Sequence, residues 1–159
     1  MDFEAAATLV KSAPDLPFGK ITVMVSIAAA QIHGGMGAGG RASLRLGLEL
    51  AQDMPERPGP KGVYRTLPRG FHYRNEAYRI ILLGAAQAHE LGTAREVAEL
   101  WKAQGGYGAD DGIISAWLGA DQADEAAAFA RKFADSAARA KALLNIAEDL
   151  LNTAGAPIF

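Results

Sequence analysis

With 159 residues, half of them apolar and 21% charged, the chain has the length and balance of one folded domain rather than a disordered or fibrous polymer. Sixteen Lys and Arg against eighteen Asp and Glu give a net charge of −2, which supplies no global pull toward nucleic acid or an anionic membrane. The absence of cysteine excludes disulfides, thiolate metal sites and cysteine nucleophiles, and it fits a reducing, cytoplasmic setting.

The first residues begin acidic and lack a basic n-region, so no secretory signal is expected. The longest apolar run, Ile21 to Ala30, is half a membrane span, so no membrane association is expected. A first helix is expected over Phe3 to Lys11, ended by Pro14 and Pro17. From Lys20 to His33 two periods compete. Ile21, Val23 and Val25 alternate as in a strand, whereas the alanine-rich second half favours helix. Internal repetition decides for helix: Ile27 to His33 (IAAAQIH) matches Leu83 to His89 (LGAAQAH), and Leu83 to Glu90 echoes Leu118 to Glu125.

After the glycine-rich turn Gly34 to Gly40, a second helix is expected from Arg41 to Met54, with Leu44, Leu48 and Ala51 inward and Pro55 as its stop. Residues 55–77 hold four of the seven prolines and no sustained period, and read as a long loop inserted between helix pairs. Helix resumes at Asn75 or Glu76 and runs to Leu91, closed by Gly92. Thr93 and Glu96 then form the pattern of a capping box for a helix carrying Val97, Leu100 and Trp101. Asp110 or Asp111 is the expected cap of a short helix through Ile113, Ile114, Trp117 and Leu118. Ala126, Phe129, Ala130, Phe133 and Ala134 share one stripe of the next helix. The last helix runs from Ser136, its expected N-cap, to Ala154, with Gly155 beyond it. Its expected inner stripe is Ala140, Leu143, Ile146, Ala147, Leu150, Leu151 and Ala154.

These paired helices, with small residues at close-approach positions and alanine-rich seconds such as DEAAAFARKF, resemble the tetratricopeptide-like class of α-solenoids over about Lys20 to Gly155. Only a fragment of that family's consensus stands here, Leu118-Gly119 after Trp117. The resemblance implies an all-α fold of antiparallel helix hairpins stacked as a small solenoid, a protein- or peptide-binding role, and no catalytic residues. Apolar stripes near the two ends leave self-association open.

The expected contact surface lies over residues 55–79. Arg57, Lys61, Arg65, Arg69, Arg74 and Arg79 face only Glu56 and Glu76 as local acids, and Tyr64, Phe71, His72, Tyr73 and Tyr78 are interleaved with them. Arginines pair carboxylates or phosphates while rings stack on side chains or bases, so an acidic peptide or protein is the expected partner and RNA or DNA the alternative. The plainer reading of the same residues is that the aromatics pin the loop to the solenoid while the arginines are solvated or bridge to acidic helices. A third class, a small enzyme, would use a pocket beside the loop with His72, Tyr73 and Arg74.

Gly35 to Gly40 satisfies G-x-G-x-x-G, but a dinucleotide site needs a strand before it, and the preceding residues read as helix. His33 and His89 provide two imidazoles without a third ligand, a poor zinc set. Neither metal nor cofactor is expected.

Overall fold

In the computed structural model, residues 5, 8, 10, 12, 17–54, 73–104 and 109–153 are described. The helices are α1 (Pro17–His33), α2 (Gly37–Gln52), α3 (Tyr73–Gln87), α4 (Leu91–Ala103), α5 (Ala109–Leu118), α6 (Ala123–Ala130) and α7 (Ser136–Thr153). Ala5, Thr8, Val10 and Ser12 are also helical, and no strand occurs among the described residues. The all-α expectation therefore holds for these segments.

α1 shows how the ambiguous stretch resolves. Ile21, Met24 and Ala28 are fully buried, at helical steps of three and four, while Val23 is 44% exposed. The strand-like alternation thus splits between core and solvent, and the 3.6-residue period wins. Pro17 opens this helix instead of standing clear of it: a first-turn proline gives up no intrahelical hydrogen bond and its fixed φ suits the helix.

Three hairpins are closed by the same turn. In the first, Met36 N–H donates to Gln31 O at 2.7 Å and Gly35 N–H to Ile32 O at 3.0 Å. In the second, Glu90 N–H donates to Ala85 O at 2.9 Å and His89 N–H to Ala86 O at 3.0 Å. In the third, Gln122 N–H donates to Trp117 O at 2.9 Å and Asp121 N–H to Leu118 O at 3.0 Å. This is the Schellman arrangement, in which one left-handed residue lets the orphan carbonyls of the helix end find donors. The left-handed residues are Gly35 (φ +79°), His89 (φ +58°) and Asp121 (φ +57°). The residue after each, Met36, Glu90 or Gln122, is already the N-cap of the next helix.

Two expectations are corrected by this geometry. α3 ends at Gln87, and Gly92 lies in the first turn of α4 instead of closing α3. The Thr93–Glu96 capping box does not form: Glu90 is the N-cap, and it makes no side-chain capping hydrogen bond. The echoes also change register. The turns place Gly35 opposite His89 and Asp121, so the AAQ-x-H copies are offset by two residues and the later echo by three. Alanine-rich helices gave matches that the backbone does not use.

The shared turn fixes shared packing. Eight and seven residues before the left-handed position stand Ile27 and Ala28, Ile81 and Leu82, Ile113 and Ile114, all buried. Five, eight, nine and twelve residues after it stand Gly40, Ser43, Leu44 and Gly47, then Ala94, Val97, Ala98 and Trp101, then Ala126, Phe129, Ala130 and Phe133, again all buried. The first of each set is small because the paired helices cross there. A Cβ at Gly40 would come within 2.4 Å of Ile32 Cγ1 and 2.9 Å of Ala28 O.

Each hairpin packs on the next. α1 meets α2 and α3, α3 meets α4 and α5, and α5 meets α6 and α7. Arg41 and Arg95 both stand six residues after a left-handed position and both reach an acid at the head of the following hairpin. Arg41 pairs with Glu90 at 3.0 Å, and Arg95 Nε with Glu125 Oε2 at 2.9 Å. Exposed pairs of this kind fix alignment more than they stabilise.

α7 departs from its expected orientation. Its N-cap is Asp135, whose Oδ1 accepts the Ala138 N–H at 2.6 Å, and not Ser136. Of its expected inner stripe only Ile146 is buried and Leu143 half-buried, with Ala142 the second buried residue; Ala140, Ala147, Leu150 and Leu151 are exposed, and Ala154 lies outside the described residues.

Candidate interaction surface

Seven of the expected contact residues, Arg57, Lys61, Tyr64, Arg65, Arg69, Phe71 and His72, lie outside the described residues. The other four are placed, and their surroundings are those of structural groups. Tyr73 is 3% exposed and its ring lies 5.4 Å from that of Phe18. Tyr78 is fully buried and its hydroxyl accepts a hydrogen bond from Gln104 Nε2 at 2.6 Å. Burial pushes the Tyr78 phenol above its ordinary range, opposed by the Gln104 hydrogen bond and by Arg74. Arg74 donates to Met54 O through Nε at 3.3 Å and Nη2 at 2.8 Å, tying the start of α3 to the end of α2. Arg79 grips Glu76 one turn back with contacts of 2.8 and 2.6 Å, which raises the guanidinium pKa further. Tyr73 and Tyr78, both expected as partner contacts, are buried among the described residues.

An open cleft of about 550 Å³ lies between α5 and α7. Gly119 and Ala142 are among the residues that line it. α5 contributes Asp111 and Ser115, and α7 contributes Lys141, Asn145 and Asp149, over an apolar strip that includes Ile114 and Leu118. Within each helix the polar residues recur every fourth position, so each set forms one row along the cleft. The cleft offers two carboxylates, an ammonium, a carboxamide and a hydroxyl, a set suited to hydrogen-bonding an extended peptide and pairing its charges. The four-residue spacing of polar groups on both helices is the sequence signal for this cleft, although Asp111 also fits the expected role of a helix cap.

A second hollow of about 250 Å³ lies between α4 and α6, floored by Trp117, Phe129 and Ala98. Its mouth is crossed by ion pairs internal to the protein, Arg95 with Glu125 and Lys132 with Glu99, the latter at 2.7 Å. The hydrogen bond from Arg95 holds the Glu125 carboxyl below its ordinary range.

The remaining motifs are placed within the hairpins. Gly35 is the left-handed turn residue, Gly37 to Gly40 are the first turn of α2, and a helix precedes them, so the strand-turn-helix geometry of a dinucleotide fingerprint is not formed. His33 ends α1, and His89 is itself a turn residue. Among the described residues no cluster of three or more His, Asp or Glu is arranged to hold a metal, and no helix is long and apolar enough to cross a membrane. No protein family, curated protein or solved structure matches this chain.

Proposed function

We propose that the protein is a noncatalytic helical-repeat scaffold, a degenerate member of the tetratricopeptide-like kind of α-solenoid, that binds a peptide or protein segment in the cleft between α5 and α7. The observation that carries this reading is the threefold recurrence of one hairpin, with the same turn, the same buried positions and, at the first two, the same arginine reaching the next unit. Units that touch only their neighbours build an open, elongated face, and such faces suit extended ligands better than small substrates. The cleft supports it further, because its two polar rows flank an apolar strip in the way a peptide backbone and its side chains require.

The test is selection of peptides from a displayed random library on the intact chain, followed by titration of the winners against Asn145→Trp. This substitution fills the cleft from an exposed position and leaves the core alone. Selected peptides should lose at least about tenfold in affinity, the effect of removing one central contact. Peptides that bind Asn145→Trp as well as the native chain would move the site elsewhere. A steep linear fall of log affinity with log salt, on single-stranded RNA or DNA, would favour a nucleic-acid scaffold instead.

A further inference from the structure

α7 carries an apolar seam that the rest of the described chain leaves uncovered. Ala137, Ala140, Leu144, Ala147 and Leu151 follow one another at steps of three, four, three and four, and all are exposed. Leu144 and Leu151 are 58% and 52% exposed, on a helix whose buried residues are Ala142 and Ile146. At about 100° per residue the seam lies about 130° around the helix from Ile146; Asn145 and Asp149 of the cleft's polar row stand well away from it, and Lys141, at the edge of that row, flanks the seam. A 3-4 spacing is the pattern of a helix that seats a second helix along its length.

We infer that the occupant is the same seam of a second copy of this chain, running antiparallel. A two-fold axis passing between Leu144 and Ala147 sets Leu144 against Ala147 of the second copy and Leu151 against its Ala140, so the layers built from these four residues each pair a large residue with a small one, and Ala137 lies beyond them. On one flank the same axis sets Lys141 opposite Glu148 of the second copy, and the symmetric pair repeats at the other end. Neither residue enters any ion pair found among the described residues. On the other flank Leu143 faces Leu150, which is 47% exposed. Parallel pairing has none of this: it puts leucine on leucine, alanine on alanine, and Glu148 beside Leu143. The helix dipoles also oppose favourably only in the antiparallel arrangement. One helix per copy is a small interface, so the dimer forms at micromolar concentration and exchanges quickly.

Sedimentation velocity of the full chain across the micromolar range should show a reversible monomer–dimer equilibrium. Leu144→Glu should weaken it by at least about 100-fold, since it buries a charge at the centre of the seam, while the helical circular dichroism stays unchanged. Lys141→Glu and Glu148→Lys should each weaken the dimer, and the chain carrying both reversals should regain it, because the two charges meet only across the axis. A monomeric native chain, a dimer indifferent to Leu144→Glu, or a double reversal no tighter than the single ones would each overturn the inference. The two readings fail separately: Asn145→Trp blocks the cleft without touching the seam, and Leu144→Glu disrupts the seam at a residue that does not line the cleft.

Discussion

Gly84 of α3 faces Val25 of α1 so closely that a Cβ at Gly84 would come within 2.1 Å of Val25 Cγ1. Glycine inside a helix ordinarily loses about 1 kcal/mol relative to alanine, so in open space Gly84→Ala would stabilise. Here the overlap wins, because valine has one stiff torsion and no free end to swing aside. Gly84→Ala should destabilise by about 1–3 kcal/mol in urea unfolding. In a Val25→Ala background the same change should be neutral or favourable, and an equal loss in both backgrounds would refute the close contact.

The hairpin turns yield a prediction of opposite sign at equivalent places. His89 holds φ +58°, a region that costs an L side chain about 1 kcal/mol or more, and its side chain is exposed. His89→Gly should therefore raise stability by about 1 kcal/mol, and Gly35→Ala should lower it by a similar amount. Thermal and urea unfolding of the two variants read the difference directly.

Tyr78 makes stability fall at high pH. Its pKa is raised in the folded chain, chiefly by burial, so the unfolded chain releases the phenolic proton first. The contribution is complete below the ordinary tyrosine pKa near 10 and is lost as pH climbs from there toward the folded value. Tyr78→Phe forfeits the Gln104 hydrogen bond, about 1 kcal/mol near neutrality, and should lose less stability than the native chain between about pH 9 and 11.

Glu125 acts at the other end of the scale. Its depressed pKa comes first from the Arg95 hydrogen bond, so its contribution is present above the ordinary carboxylate pKa and disappears as pH falls through the folded value. Glu125→Gln should melt below the native chain at pH 7, and the two curves should converge in acid. High salt at neutral pH should narrow the same gap, since Arg95 is largely in solvent.

The helices were legible because apolar side chains recur at threes and fours: Ile21, Met24 and Ala28 in α1, and Leu44, Leu48 and Ala51 in α2, are buried as that spacing requires. The joints were less so. His89 and Asp121 occupy backbone conformations that glycine usually takes, and nearby Gly92 drew the expected end of α3 four residues too far. In α7, periodicity shows that a face is apolar but not what covers it, so Leu151 satisfies the helical pattern and still faces solvent. The cleft depends on how α7 stands relative to α5, which no single-helix pattern encodes. Tyr73 and Tyr78 sat in a basic, aromatic stretch whose composition fits a binding loop and a core helix alike, and helical packing took them.

The Schellman turn leaves no spare link between paired helices, since the residue that ends one motif begins the next. One codon inserted at Met36, Glu90 or Gln122 would swing the following helix through about a quarter of a revolution and present its polar side to its mate. Length can therefore change without disturbing a hairpin only in the stretches separating one hairpin from another, and these already differ: twenty residues between α2 and α3, but five between α4 and α5.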